Sequence, residues 1–473
     1  MSHATFPPQP TTLGAHMRAH LALGLPLIGS HVAQMAIGLT DTVMLGWYDV
    51  EALAGLVLAN SMFIVLFLFG SGFAFAVMPL VAAAAEEEDQ TRVRRVTRMG
   101  LWISAGFALA AVPVFWFSGP LLTAAGQNPD LAANAQTYLR IQGWSIIPAL
   151  SVMVLKSYLS ALEHTRVQLF VTVGAAIANV GFDYALIFGN FGLPELGIRG
   201  AAIASLGVQL ISVTVLAIYA LRSFPEHTLW VRIWRPDWEA LGEVARMGWH
   251  VGITTLAEVG LFSATSLLVG LLGTVPLAAH GIALQITSFT FMVPLGLSNA
   301  ATVRTGRAFG RRDRESLRAG GLSAFLLGLG WALVAIALFL SVPEVLVGLF
   351  IDPDEPLRGE ILVMGRVLLA MAALFQLADA TQVIAVALLR GMQDTRVPMW
   401  IAAASYWLVG ASLSYLIGIV AVVGVVAVSL RLVAGPCSAA LALVVRFPPP
   451  SPHAGAAWTV VPPARPYSAV PGA

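Results

Sequence analysis

The sequence has little charge, one cysteine and one lysine. Asp, Glu, Lys and Arg make up 11% of the 473 residues, roughly half the charged fraction of an ordinary soluble domain. Because Cys437 is the only cysteine, no disulfide can form within the chain. Lys156 is the only lysine, and we find no Walker A loop, no cluster of metal ligands and no nucleophile motif. These absences argue against an ATP-driven pump and against an enzyme, and we expect no cofactor.

What the chain has instead is apolar sequence. Hydrophobic residues make up 58% of the chain, and the mean hydropathy is +0.81. Runs of about 20 apolar residues recur, and each is long enough to cross a bilayer core of roughly 30 Å as a helix. Residues 1–17 are polar and contain proline, so we expect no cleavable signal peptide. The sequence predicts an all-α integral membrane protein with twelve transmembrane helices, at 21–46, 56–85, 100–122, 138–160, 167–189, 198–221, 247–272, 278–302, 320–341, 361–388, 398–418 and 421–446.

The two halves of the chain resemble each other. Leu159–Gly189 aligns without a gap on the sequence from Leu389 onward, so that Thr165 falls on Thr395. The segments that precede this stretch in each half also align, with a constant offset in residue number that is slightly smaller, so that Gly72 falls on Gly296. Two related apolar halves are typical of membrane transporters. Because each half has six predicted spans, we expect two pseudo-symmetric six-helix lobes that lie the same way up around a central cavity.

Arginine is distributed unevenly between the segments that join the spans. Arginines cluster after spans 2, 6 and 8, whereas the segments after spans 1, 7 and 11 contain no Arg or Lys. Because basic residues mark cytoplasmic loops, we place both termini in the cytoplasm of a multi-pass protein of the bacterial inner membrane. The predicted segments are a cytoplasmic N-terminal segment (1–20), a first lobe (21–221), a cytoplasmic connector (222–246), a second lobe (247–446) and a disordered Pro-rich tail (447–473). The composition of the connector suits an interfacial helix.

Four acidic residues interrupt the apolar spans. They are Asp41, Asp183, Glu258 and Asp379. A charged side chain at mid-membrane costs about 2.5–3.5 kcal/mol on insertion scales, so such residues face a wet cavity or a bundle interior and mark an ion or substrate path. The structural alternative is an ion pair or a helix cap, but the spans contain few basic residues. We therefore interpret the four acids as cation-coupling residues.

The four acids form two pairs according to their depth. Asp41 and Asp183 lie at similar distances from the outer ends of their spans, and Asn179 lies one turn from Asp183. Two carboxylates in one desolvated pocket resist double ionisation, which suits a proton site. Glu258 and Asp379 lie near mid-depth in the second half, and their oxygens suit a sodium ion as well as a proton. The coupling ion is left open between the proton and sodium.

Other polar residues give weaker signals. Gln34 and Gln285 each either line the cavity or form a helix–helix hydrogen bond. Pro26 predicts a kink in the first span. We interpret His31 and His250 as packing residues rather than proton relays. The predicted cavity-lining residues are Gln34, Asn179, Gln285 and Phe375.

Several segments resemble the multidrug and toxic compound extrusion (MATE) family, in particular its bacterial NorM-like and DinF-like branches. The resemblance covers residues 15–446, and it is carried by GLPLIGSHVAQMAIGLTDTVMLG, ANVGFDYALIFGNFGLPELGIRGAA, TTLAEVGLFSATSLLVGLLGTVPLAAHGIAL and QLADATQVIAVALLRGMQDTRVP. It implies a secondary active multidrug exporter, which moves organic cations out of the cytoplasm while protons or sodium ions enter.

The resemblance also implies roles for single residues. Asp41 matches the acid of the family's first span, and Asn179 matches its span-5 asparagine. Asp183 falls where members carry asparagine or aspartate. Glu258 and Asp379 match the acids linked to cation coupling in the NorM-like branch, which makes them possible sodium ligands.

The sequence departs from the family pattern at two places. Phe375 stands where some sodium-linked members carry tyrosine, which removes a possible ligand oxygen. Arg431 and Pro436 occupy span 12 where relatives are apolar and Gly-rich, which puts the end of that helix in doubt.

Two other classes of protein are alternatives to an exporter. A lipid-linked oligosaccharide flippase of the same superfamily would need a basic cavity for a pyrophosphate headgroup, whereas these spans are acidic. A polytopic membrane enzyme or receptor would be favoured by a catalytic constellation within the spans, and we find none. We expect a monomer in the lipid bilayer that binds small organic cations and no nucleic acid.

Overall fold

The protein is helical wherever its structure is described. The computed structural model describes residues 11–270, 273–411 and 424–447. Within these ranges every regular element is a helix and no strand occurs. The elements are α1 Leu13–Tyr48, α2 Val50–Glu86, α3 Gln90–Trp116, α4 Ser118–Ala124, α5 Pro129–Ala161, α6 Thr165–Ile187, α7 Ile198–Ser223, α8 Trp238–Gly270, α9 Thr274–Gly310, α10 Arg314–Ser341, α11 Pro343–Gly348, α12 Arg358–Gly391, α13 Arg396–Ala403, a π-helical segment Ala404–Ala411, and α14 Gly424–Arg446.

Ten of the described helices are long and apolar enough to cross a membrane: α1 to α3, α5 to α10, and α12. Each coincides with one of the first ten predicted spans, so the all-α, multi-pass membrane class is confirmed. Predicted span 11 falls on α13, the π segment and residues outside the described ranges, and span 12 falls largely on α14. The Pro-rich tail lies outside the described residues from 448 onward, as does the side chain of Arg431. The count of twelve crossing helices stays a prediction.

Aspartate side chains fix where several helices begin. Asp49 separates α1 from α2, and its Oδ2 accepts a hydrogen bond from the backbone N–H of Ala52 at 2.8 Å. Asp89 and Asp313 cap α3 and α10 in the same way, at 2.9 and 3.0 Å. These two caps occupy equivalent positions of the repeat. Each such cap contributes about 1 kcal/mol, so the repeat preserves helix starts as well as apolar spans.

The two halves of the chain meet through glycines. α2 packs against α8 and α9, and α1 packs against α9. A Cβ atom on Gly72 would lie 2.4 Å from the backbone nitrogen of Gly252, and one on Gly248 would lie 2.6 Å from the Cα of Phe73. No side chain fits at these separations, so the backbones of α2 and α8 are in direct contact, as small residues allow between membrane helices.

Ion pairs join the same two halves at the helix ends that the sequence places in the cytoplasm. Glu86 at the end of α2 pairs with Nε of Arg307 at 2.7 Å and with Nη1 of Arg311 at 2.6 Å, both on α9. Arg307 also pairs with Glu163, which follows α5. All four side chains are largely buried. The halves are therefore joined by charged contacts at this end and by direct backbone contacts nearer the middle of α2.

The prediction of an interfacial helix between the halves is wrong. Pro225–His227 forms a 3₁₀ turn, residues 228–236 form turns and bends, and α8 begins at Trp238. The pattern of Trp and Arg that suggested a helix is interrupted by Pro236, which disfavours helical backbone at the residue before it.

Side chains of α3 hold this connector in place. Arg98 donates to the backbone oxygen of Leu229 at 2.6 Å, and the indole of Trp102 donates to that of Ile233 at 2.7 Å. Arg95 pairs with Asp237 and holds the pKa of that carboxyl below its ordinary value, chiefly through the hydrogen bond. The connector is thus fastened to the first half just before α8 begins.

Candidate functional site

The first half of the chain brings Asp41 and Asp183 together. Asn179 and Asp183 lie one turn apart on α6 and face Asp41 on α1. The amide Nδ2 of Asn179 donates to Oδ1 of Asp41 and to Oδ2 of Asp183, at 2.6 Å each. Asn179 and Asp183 are 0% exposed and Asp41 is 6% exposed. One amide therefore bridges two buried carboxyl groups, and Asn179 lies between them rather than on an open cavity wall.

Two further side chains complete this cluster. Ser205 on α7 donates from Oγ to Oδ2 of Asp41 at 3.1 Å. Tyr138 on α5 is buried and lies near Asp41. Both oxygens of Asp41 thus have donors, whereas Oδ1 of Asp183 is buried without a hydrogen-bond partner among the described residues. Because an unpaired buried polar atom is costly, a proton or a cation bound at this oxygen would supply the missing partner.

The second half brings Glu258 of α8 near Asp379 of α12. Asp379 is 4% exposed and Glu258 is half-buried, and the two carboxyl groups interact electrostatically. In the part of the chain that the structure describes, no hydrogen bond joins them. Tyr406 of the π segment is 1% exposed, packs against α8, and lies near both acids. The two acids of this pair are therefore less closely linked than those of the first half, and Glu258 is the more exposed of the two.

Arg390 adds a positive charge to the second site. It lies one residue before the end of α12, and its guanidinium carbon is 5.5 Å from the ring centroid of Phe75 on α2. It also interacts electrostatically with Glu258. Arg390 thus lies between an acid of its own half and an aromatic ring of the other half.

The remaining predicted residues are scattered. The side chains of Gln34 and Gln285 are exposed. Phe375 packs edge-to-face on Phe262, with ring centroids 5.9 Å apart. Pro26 lies inside α1, which continues on both sides of it, and the predicted kink stays a prediction. Phe375 lines a small cavity in the second half, together with Phe262, His280, Ala283, Leu284, Thr287, Leu368, Met371, Ala372 and Val433.

Sequence reasoning missed Ser205, Tyr406 and Arg390. Ser205 and Tyr406 are ordinary residues in apolar helices, and only the packing of α7 and the π segment brings them to the acids. Arg390 could have been noticed, because it is a basic residue at the end of a span that also contains an acid. The positive charge near Glu258 weakens the view that these acids lack a basic neighbour.

The acids could hold a sodium ion only with additional oxygens. In residues 11–270, 273–411 and 424–447, no group of three or more His, Cys, Asp or Glu side chains is placed to hold a metal ion. A sodium ion between Glu258 and Asp379 would need hydroxyl, carbonyl or water oxygens to complete its coordination.

These observations together define a class of protein. The chain has an internal repeat, ten apolar helices in its described part, and in each half a pair of acids that are buried or half-buried. Intramembrane acids that face a bundle interior mark ion or substrate paths. The fold and the site are those of a multi-pass membrane transporter.

Comparison with known proteins identifies the family. The MatE family model matches residues 26–185 and 251–416, and the chain belongs to that family. The "Probable multidrug resistance protein NorM" of Rhizobium meliloti is 45% identical over 435 residues, which are 91% of this chain and 93% of the relative. The protein of the same name from Agrobacterium fabrum is 42% identical, over 92% of this chain and 94% of the relative. The bacterial relatives agree with a location in the inner membrane.

A solved structure shows the same fold. The crystal structure of a MATE protein in complex with MaL6 superposes with a TM-score of 0.82, and the match covers 91% of this chain and 95% of the other. The sequence identity is 17%. This similarity supports the helix arrangement and carries no information on substrates.

Proposed function

We propose that this chain is a secondary active multidrug exporter. It carries amphipathic organic cations out of the cytoplasm while protons, sodium ions or both enter. Alternating access occurs between two six-helix lobes, residues 21–221 and 247–446, which are joined by the connector 222–246. The transporter needs no cofactor, acts as a monomer, and has both termini in the cytoplasm.

The observation that carries this proposal is the presence in each half of one pair of acids that are buried or half-buried. Asp41 and Asp183 form the pair bridged by Asn179, and Glu258 and Asp379 form the looser pair. Ion-driven transport needs groups that bind a cation on one side of the membrane and release it on the other, and buried carboxyl groups are suited to this. The names of the NorM relatives support multidrug substrates.

The contacts between the halves favour an outward-open arrangement. The glycine contacts of α2 with α8 and the ion pairs of Arg307 and Arg311 lie toward the ends that the arginine distribution places in the cytoplasm. Asp41 and Asp183 lie toward the opposite ends of α1 and α6. In this arrangement the acids take up ions from outside while the cytoplasmic side is closed.

The central test is ethidium efflux from membrane vesicles under separately imposed proton and sodium gradients. We expect efflux that requires at least one gradient and that stops when an ionophore removes the gradient. Vesicles that contain the double variant Asp41→Asn, Asp379→Asn serve as the control. Efflux that persists without either gradient would contradict ion-driven export.

A second test concerns orientation. With Cys437 replaced by alanine, a cysteine at Leu193 in the α6–α7 loop should react with an impermeant thiol reagent added outside the cell. A cysteine at Arg235 in the connector should react only after the membrane is opened. Both side chains are exposed, so their labelling reports the side of the membrane. The opposite labelling pattern would overturn the proposed topology.

A further inference from the structure

Lys156 is the only lysine of the chain, and it lies inside a membrane helix. It is placed five residues before the end of α5 and is partly buried, and burying a charged group costs free energy unless the charge has a partner. None of the ion pairs formed by the described residues includes Lys156. An anion that would offset its charge is therefore missing from this part of the protein.

The hydrogen bonds around Lys156 satisfy only part of the donor capacity of its ammonium group. Its Nζ lies 3.5 Å from Oγ of Ser30, which is a long hydrogen bond. Ser30 in turn lies 2.9 Å from the hydroxyl of Thr172, and Thr172 donates to the backbone oxygen of Gln168 at 2.7 Å. An ammonium group has three donors, so two of the three have no partner among the described residues. Lys156 is also partly exposed, which leaves it accessible.

Polar groups from both halves surround this position. Ser30 lies on α1 and Thr172 on α6, and both are buried. Next to Ser30, the ring nitrogen Nε2 of His31 lies 3.0 Å from the amide of Asn299 on α9. A group bound at Lys156 would therefore lie close to a contact between the two halves.

The repeat shows that the fold does not require this lysine. In the alignment that places Thr165 on Thr395, the position equivalent to Lys156 in the second half is Val386. Val386 lies in α12, which is a complete helix, and it packs in a buried apolar cluster. Since a valine serves at the equivalent position, the fold itself does not account for the partly buried charge at Lys156, which calls for a functional reason.

We propose that Lys156, beside Ser30 of α1, binds the anionic group of amphoteric substrates, which carry a carboxylate as well as an organic cation. The proposal rests on the proposed export function and specifies its substrate class. Ser30 and Asp41 are eleven residues apart on α1, about 16 Å at 1.5 Å per residue. The anion subsite is thus separate from the acid pair, and it distinguishes substrates that differ only in a negative charge.

The test uses two dyes that share one cation. Rhodamine B carries a cationic xanthene and a free carboxylate, and rhodamine B ethyl ester carries the same cation with the carboxylate esterified. Binding of each dye to the purified full chain in detergent is measured by fluorescence polarisation. For Lys156→Met we expect rhodamine B to bind about tenfold more weakly, because a charge-assisted hydrogen bond is lost. The ester should bind as tightly as before or more tightly, since a repelling charge is gone.

Two matched variants serve as controls that distinguish a lost anion subsite from a general loss of binding. Lys156→Arg should retain rhodamine B binding, and Arg166→Gln, an exposed arginine at the start of α6, should bind both dyes like the wild type. Unchanged ester binding shows that the Lys156→Met protein is folded. An equal loss for both dyes, or no loss for rhodamine B, would overturn the anion subsite while the export function stands. If the wild type binds neither dye, and ethidium efflux fails as well, the proposed function itself is at fault.

Discussion

The acid sites of the two halves differ although the halves are repeats of each other. In the alignment that places Gly72 on Gly296, the position equivalent to Glu258 is Gln34. The position equivalent to Asp41 is Thr265, which is buried and donates to the backbone oxygen of Leu261 at 2.8 Å. The repeat therefore preserves helices and caps but not the acids, so each half has a site of its own design.

The two designs lead us to propose that the sites bind different ions. In the first half, one amide fixes two buried carboxyl groups, and a proton can bind there without a coordination shell. In the second half, Glu258 is half-buried, forms no direct bond to Asp379 in the described structure, and has Arg390 nearby. A more open pair can admit a larger and partly hydrated cation. The difference favours a proton at the first site and leaves room for sodium at the second.

The largest expected effect comes from neutralising one acid of each site. Asp41→Asn and Asp379→Asn should each remove nearly all ethidium efflux, while protein levels stay near those of the wild type. Neutralising a buried acid removes an insertion cost, so a loss of protein is not expected. Thr42→Ala and Thr381→Ala change neighbouring side chains on the same helices that are not buried, and they serve as controls. Normal efflux in both aspartate variants would show that neither site drives transport.

The next effect separates the sites by ion. Asp183→Asn should weaken efflux driven by a proton gradient and spare any sodium-driven component, and Glu258→Gln should do the reverse. The reason is the difference between a closed, amide-bridged pair and a half-buried pair. Efflux of both variants is measured in vesicles under each gradient. Equal losses under both gradients would mean that the two sites act as one coupled network.

A smaller effect on efflux is expected from removing the amide of Asn179, which bridges the two acids of the first half. Asn179→Ala removes the donor shared by Asp41 and Asp183, and we expect proton-driven efflux to fall about fivefold, which is the effect of a net loss of about 1 kcal/mol. Ile177→Ala, on an exposed face of the same helix, should have no effect. If both alanine variants behave alike, the bridge does not contribute to transport and the contrast between the halves loses its main support.

The smallest effect concerns Arg390. Arg390→Gln removes a positive charge near Glu258, and we expect the half-saturating concentration of the ion that uses this site to fall about threefold, in the range of a partly screened ion pair. The nearby exposed Arg396→Gln is the control. The ion dependence of initial efflux rates measures the change. A rise in the half-saturating concentration would indicate that Arg390 supports ion binding instead of opposing it.

The helices and the acids could be predicted from the sequence, whereas the immediate neighbours of the acids could not. An apolar run of membrane length and a charge within it are visible along the chain, so α1 and Asp41 needed no packing information. The depth of Asp183 and its spacing from Asn179 also follow from one helix. Ser205 lies on a different helix, and no pattern in α7 indicates which of its faces meets Asp41. The helix prediction for the connector overlooked Pro236, and it could not include the bonds from α3 to residues 229 and 233, which local sequence does not encode.

The glycine contacts between α2 and α8 affect how much conformational entropy is lost when these two helices come together. When two surfaces close through long side chains, each side chain that is immobilised costs up to about 2 kcal/mol of conformational entropy. Gly72, Gly248 and Gly252 have no side chain to immobilise. In the proposed alternating access the backbones would part and meet again without that cost, so the balance between the open and closed forms would depend on the ion pairs between α2 and α9 and on what is bound. An ion or substrate with a preference of a few kcal/mol for one form is then enough to reverse the balance.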